Sequence, residues 1–382
     1  MENLIKKYEQ KCIIDNLALR EDIFIAGLDT EIIWNQDGPE NSELEKIFSS
    51  MFINSLMFAK PEEPYFSIIE YLVCSSSDGA IYPSDCETRT FLHELPIVEK
   101  FDIEKIIEKL KKRKCVIVKG KGIITWGTVT PEQAYIYFSC VCFTCFVKFF
   151  VDCLKSRKNS AYQSDVLKRA VQSLDRISPD FSPLKTDIRT EDDVYKAMIE
   201  AGKKVVDYKL VDSFFGNISY KRNNILYISQ TGACLDELAG CIDPCPLDDS
   251  TCSSITASSE FSAHKQIVMN NPEIKGLLHG HPEFTVIMSM YCEKDQCAFS
   301  DQCHIKCPEK RYIDDIPIVG GEVGTGIHGL CNTLPLAIKG KRAVIVYGHG
   351  VFAAVGDDFN DSFRTMIEIE TMCKEKCFNL LG

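Results

Sequence analysis

Positive charge is scarce in this sequence. Forty-three lysines and arginines stand against 55 acidic residues, a formal charge of −12 over 382 residues. A phosphate backbone or an anionic bilayer gains nothing by approaching such a surface, which argues against nucleic acid and membrane as partners. Long apolar runs are also missing. The run AYIYFSCVCFTCFV at 134–147 is interrupted by Lys148, whereas a spanning helix needs about 20 residues. It reads as a buried core helix. The first residues, MENLIKKYEQK, hold no apolar h-region, so a cytoplasmic protein is expected. Histidine is rare as well, with seven in the chain.

Cysteine is the one excess. Nineteen thiols in a chain of this size without an export signal point to a reducing compartment, where most serve as small buried hydrophobes. Hydrophobic content of 45% and charged content of 26% are those of a globular protein. The length suits two domains of roughly 150 to 200 residues.

Two stretches look like copies. CVIVKGKG at 115–122 and AVIVYGHG at 343–350 are both β-branched runs ended by glycines, hence buried strands entering tight turns. Each leads into a long helical pattern, Pro131 to Leu154 and Asp358 to Phe378. LPIV at 95–98 and IPIV at 316–319 precede them in the same order. A tandem duplication follows. The halves differ where chemistry would sit: Lys121 stands where His349 stands, and the first half has no counterpart of the HGHP segment at 279–282. Residues 1–160 are read as a degenerate domain without metal ligands, 161–186 as a linker, and 187–382 as the active domain. Ser178-Pro179 and Ser182-Pro183 mark the break. From Thr190, acidic residues and helically spaced Val194, Met198 and Val205 predict a capped helix.

His279 and His281 are two apart after an apolar run, so on a strand both face one way and can share a metal ion. His349 lies in the turn Tyr347-Gly348-His349-Gly350. Three neutral imidazoles with an open fourth position describe a catalytic metal site, whereas any one alone would read as a core histidine. Upstream, Ser258 or Ser259 can cap a helix carrying Glu260 in its first turn, and helix N-termini receive anions. Asn217 in Gly216-Asn217-Ile218-Ser219 and the turn Thr231-Gly232 could join them around a phosphate.

These segments, taken in order, resemble the class II aldolase and adducin family. GNIS at 216–219, ISQTG at 228–232, SSE at 258–260, HGH at 279–281 and HG at 349–350 match its sugar-phosphate members, in particular the fuculose-phosphate aldolase branch. The resemblance implies an α/β, three-layer fold, a mainly antiparallel central sheet with helices on both faces, here present twice. It implies a homo-oligomer with active sites at subunit contacts of a ring-like tetramer. It further implies Zn²⁺, or Mn²⁺, Fe²⁺ or Co²⁺, on His279, His281 and His349, since imidazole sites accept all of these. Glu260 would move the proton at a metal-stabilised enediolate, and Asn217, Thr231, Gly232, Ser258 and Ser259 would hold the phosphate of a small sugar-like substrate. The activity implied is an aldolase. A sugar-phosphate dehydratase, an epimerase and a noncatalytic adducin-like binding protein are the alternatives.

Departures from the family pattern cluster after Met290. Cys292, Cys297, Cys303 and Cys307 have a spacing suited to a second, structural Zn²⁺. Cys234, Cys241, Cys245 and Cys252 form a weaker group. No counterpart of the family's C-terminal tail tyrosine is expected, since the last helical pattern runs close to Gly382. Tyr312 and Glu322 stand near the altered segment as possible proton donors.

Overall fold

The computed structural model describes residues 1–156, 160–174, 182–211, 215–294 and 297–382. The chain divides into two units, Met1–Asp175 and Arg176–Gly382. Ser178-Pro179 lies outside the described residues.

The N-terminal unit is built on a seven-stranded sheet. Its strands are β1 (Ile23–Leu28), β2 (Ile32–Trp34), β3 (Ser55–Ala59), β4 (Ala80–Ile81), β5 (Leu95–Val98), β6 (Cys115–Val118) and β7 (Gly122–Gly127), in the order β2-β1-β3-β7-β6-β5-β4. Helices α1 (Glu2–Ile14), α2 (Asn41–Met51), α3 (Tyr65–Ser75), α4 (Cys86–Leu92), α5 (Ile103–Leu110), α6 (Pro131–Lys155) and α7 (Ala161–Ser173) complete it. Although α6 is long enough to cross a membrane, 89% of its most apolar 18-residue window is buried inside the protein. Helix α7 occupies part of the expected linker. Ser160 caps it by accepting the Gln163 N–H, and Val166, Leu167 and Ala170 are buried, which ties residues 161–173 to the N-terminal unit.

The C-terminal unit opens with α8 (Glu191–Asp207), where Thr190 and Asp193 form a reciprocal capping box. Strands β8 (Asn217–Arg222), β9 (Ile225–Ser229), β10 (Ile242–Pro246), β11 (Gly276–Gly280), β12 (Arg311–Ile313), β13 (Ile316–Val319), β14 (Ala343–Val346) and β15 (Gly350–Val355) form its sheet, in the order β10-β9-β8-β11-β15-β14-β13-β12. Helices α9 (Phe261–Asn270) and α11 (Leu330–Ala337) bury Ile267, Val268, Leu334 and Ile338 against Leu277, Val344 and Phe352. Helices α10 (Glu283–Met290) and α12 (Asn360–Leu381) pack on the sheet from the other side of the layer.

The two sheets are the same sheet. Every neighbouring pair from β4 to β2 has a counterpart from β12 to β9, in the same order and sense, including the single parallel pair, β5/β6 and β13/β14. Even the register agrees: Val118 pairs with Gly122 and Val346 with Gly350. Only β10 lacks a partner in the first copy. The tandem duplication read from CVIVKGKG and AVIVYGHG is therefore a property of the whole fold.

Candidate metal centre

Strand β11 delivers His279 from its penultimate position and His281 just past its end. The β14–β15 turn brings His349 beside them. The glycines in these segments are demanded by close approach. A Cβ on Gly280 would lie 2.6 Å from the Leu210 carbonyl oxygen and from Met366 on α12, and one on Gly350 would lie 2.3 Å from the Gly280 oxygen. Neither position accepts a side chain without displacing backbone or core.

The three rings converge through their Nε2 atoms. His279 Nε2 is 3.0 Å from that of His281 and 3.2 Å from that of His349. His279 Nδ1 sits 2.9 Å from the Val351 carbonyl oxygen. That acceptor requires the proton on Nδ1, so Nε2 carries a lone pair pointing at two other imidazoles. All three rings are buried. Burial pushes His279 down to about 4, despite the pull of Glu260, and holds His281 well below the usual imidazole range. Two rings held neutral by burial, with a third converging on them through Nε2, are the donor set a divalent cation takes.

Glu260 completes the cluster. Its Oε2 is 3.3 Å from His279 Nε2 and its Oε1 is 3.2 Å from His349 Nε2. Burial works against charge on this carboxyl, but the imidazoles of His279 and His349 and the Asn217 amide outweigh it and hold it well below the usual carboxylate range. Helix α9 starts at Phe261, one residue later than a Ser259 cap and two later than a Ser258 cap would give, so Glu260 itself is the cap residue. Ser258 is buried and accepts the Glu260 N–H at 3.3 Å, whereas Ser259 is exposed.

Other expected residues have more local partners. Asn217 donates to Glu260 Oε2 at 2.6 Å, which makes it the holder of the carboxylate. Thr231 donates its hydroxyl to the Ala257 oxygen at 2.8 Å, pinning the Thr231-Gly232 turn against the SSE segment. Gly232 takes a positive φ of 74°. Tyr312 is exposed on the edge strand β12, and Glu322 is exposed in the glycine-rich loop after β13.

The second expected site has its four thiols near one another, the Cys303 thiol being raised by burial and by the neighbouring Cys307, Cys297 and Cys292. Among the described residues, His279, His281 and His349 are the group whose ligand atoms all lie within 4.8 Å of one another. Cys292 is exposed, and Cys297, Cys303 and Cys307 are half-buried. Two of the sulfurs bond the backbone of their own loop: Cys297 Sγ accepts the Phe299 N–H and Cys303 Sγ donates to the Phe299 oxygen. Cys234, Cys241, Cys245 and Cys252 are divided between core and surface and do not gather.

Several supporting residues carry no signal in the motifs. His264, one helical turn beyond Glu260, bonds Ser219 through Nδ1 at 2.8 Å, and the i to i+4 spacing is the cue that places it on the same buried face. Glu370 on α12 accepts the Phe284 and Thr285 N–H groups at 2.9 and 2.8 Å and the Thr285 hydroxyl at 2.7 Å. Pro282, the cap residue of α10, offers no acceptor, so Glu370 caps that helix from another element. Ser289, farther along α10, accepts the Gly348 N–H at 2.8 Å. One helix thus fixes both the His281 corner and the His349 turn. Ser289→Ala or Glu370→Gln is expected to weaken metal affinity about 10- to 100-fold, measurable by chelator competition.

A buried three-imidazole group with an adjacent carboxylate, on a duplicated sheet, has the donor set of a divalent-metal site. Residues 196–377 match the family described as Class II Aldolase and Adducin N-terminal domain. The resemblance carried by GNIS, ISQTG, SSE, HGH and HG is thereby shown for the C-terminal unit; the match spans just under half of the chain. An L-fuculose phosphate aldolase of Methanococcus vannielii is 26% identical over 154 residues, covering 40% of this chain and 83% of that protein. The L-fuculose-1-phosphate aldolase structure from Thermus thermophilus is 17% identical, with a TM-score of 0.39, covering 49% of this chain and 94% of the other. YgbL from Klebsiella pneumoniae, described as a putative aldolase/epimerase/decarboxylase, is 20% identical, with a TM-score of 0.40 and coverage of 49% and 90%.

Proposed function

We propose that the C-terminal unit is a class II, metal-dependent aldolase-type lyase acting on a ketose phosphate or related sugar-like substrate. The observation that carries this reading is the Glu260 carboxylate, buried within 3.3 Å of two of the three converging imidazoles. His279, His281 and His349 would hold Zn²⁺ or a similar divalent ion. When bound, such an ion polarises the oxygens of a hydroxy-carbonyl substrate and stabilises negative charge developing on them. Glu260 exchanges the proton at the carbon beside the carbonyl, and Asn217 keeps one carboxylate oxygen turned toward the imidazoles. The Thr231-Gly232 turn, tied to Ala257 just before Ser258 and Ser259, stands as the phosphate end. Val351 fixes the tautomer of His279. The dehydratase and epimerase readings share this ligand set and differ in the bond that breaks: a dehydratase expels a hydroxyl as water, and an epimerase breaks and re-forms a bond at one stereocentre.

Metal analysis of purified protein tests this first. The His279→Ala/His281→Ala variant is expected to hold one divalent ion per chain fewer than wild type. A panel of ketose phosphates should then show cleavage to an aldehyde that depends on the ion. Folded wild-type protein that takes up no divalent ion would sink the enzyme reading and favour a binding protein. Metal without any cleavage would move the assignment to a dehydratase or epimerase.

A further inference from the structure

The identity of the two sheets allows the C-terminal centre to be traced, residue by residue, into the N-terminal unit. In the C-terminal sheet Phe352 pairs with His279, and in the N-terminal sheet the equivalent Ile124 pairs with Phe58. Phe58 thus stands at the place of His279, and Lys60 at that of His281. Gly122 confirms the alignment: a Cβ there would strike the Ala59 oxygen at 2.3 Å, as one on Gly350 would strike the Gly280 oxygen. Lys121 occupies the place of His349. One ladder further, Asn217 pairs with His279 and Phe24 with Phe58, so Phe24 replaces Asn217. Counting on from β2 and β9 sets Gln36-Asp37-Gly38 against Gln230-Thr231-Gly232. A shared hydrogen bond supports that step: Asn35 accepts the Ile25 N–H at 2.9 Å, and Ser229 accepts the Ile218 N–H at 3.2 Å.

The carboxylate survives. Glu40 immediately precedes α2 as Glu260 precedes α9, both with φ of −94°. Leu44, Ile47 and Phe48 are then buried as His264, Ile267 and Val268 are. Glu260 reaches His349; Glu40 reaches Lys121, with Nζ 2.6 Å from Oε1. The ammonium also lies 5.5 Å from the centre of the Phe101 ring. The glycine of the old turn is closed over, because a Cβ on Gly38 would meet the Phe24 ring at 2.4 Å. Lys60 has turned its own ammonium over the Phe66 ring.

The geometry points to a self-filled copy of the metal centre in the N-terminal unit. The tethered ammonium of Lys121 takes the position of the divalent ion opposite Glu40, and the Phe24 ring fills the turn that corresponds to the phosphate end. A lysine supplies positive charge without coordination chemistry, so this unit neutralises the inherited carboxylate with no metal. Asp37 at the place of Thr231 adds negative charge where a phosphate would have to approach. The unit is metal-independent and closed to phosphorylated ligands, yet keeps the backbone of the original site.

That backbone makes the inference testable. It rests on the three-histidine reading of the C-terminal unit only for the role of the ion. The experiment is therefore run in the full chain, both with native C-terminal ligands and with His279→Ala/His281→Ala. Phe58→His/Lys60→His/Lys121→His is expected to bind one more Co²⁺ per chain than its parent in both backgrounds, with a visible ligand-field spectrum. Folded triple variant without the extra ion would overturn the proposal, as would a divalent ion retained by the His279→Ala/His281→Ala parent and released by Glu40→Ala. Should the buried Phe58 replacement prevent folding, Lys60→His/Lys121→His replaces two exposed side chains and still offers two imidazoles and Glu40. Cobalt uptake by that variant supports the proposal, and its absence overturns it. A wild-type C-terminal unit that binds no metal would end the aldolase reading without changing either outcome here.

Discussion

Replacing Glu260 by glutamine is expected to leave the divalent ion in place and to slow carbon–carbon cleavage about 10²- to 10⁴-fold. The ligands are imidazoles, and the substitution preserves size. A glutamine oxygen turned toward Asn217 Nδ2 keeps the 2.6 Å hydrogen bond, which leaves an NH₂ group facing His349 where a carboxylate oxygen stood. The variant keeps the fold and loses the proton acceptor. Exchange of the carbon-bound proton beside the carbonyl should fall by the same factor as cleavage, since both need the base. Metal content, cleavage and proton exchange measured on one preparation separate this from simple ion loss, which His281→Ala represents. Full turnover in Glu260→Gln with metal unchanged would remove Glu260 from the chemistry.

Much of this was legible in the sequence because it rests on short-range rules. The β-branched runs CVIV and AVIV became fully buried strands, and glycines marked their turns. His279, His281 and His349 were readable because rare residues sat in strand-end glycine contexts. The copy of Glu260 was not readable. The first half lacks the stretch that carries β10 and the two serines, so Glu40 follows its turn almost at once and no motif survives around it. Only strand register restores the correspondence. Glu370 and Ser289 were hidden for a different reason: they act through backbone N–H groups, which leave no residue signature.

The metal-stripped C-terminal unit should lose stability steeply between pH 6.5 and about 4. His264, pushed down to about 3, and His279, down to about 4, stay neutral in the folded protein, burial being the leading cause in each. In the unfolded chain they take up protons below about 6.5. Across that interval the unfolded state binds more protons, so stability falls as pH falls. Each unit of depression is worth about 1.4 kcal/mol, so a single imidazole depressed by two units removes about 3 kcal/mol. In a unit of this size that corresponds to a fall of about 10 °C in Tm between pH 7 and pH 4.5. Glu370 opposes the trend: burial raises its carboxyl, so falling pH relieves a cost there. It is one group against several buried imidazoles, so the net slope keeps its sign. His264→Leu should flatten the dependence without removing a metal ligand, because Ser219 still accepts the Leu277 N–H. With the ion restored, protons must first displace it from the Nε2 atoms, which moves the loss of stability to lower pH. A melting temperature unchanged from pH 7 to pH 4.5 in the stripped protein would mean that these imidazoles are not held neutral by burial; where the expected slope is found, the same measurement on His264→Leu shows the share that His264 carries.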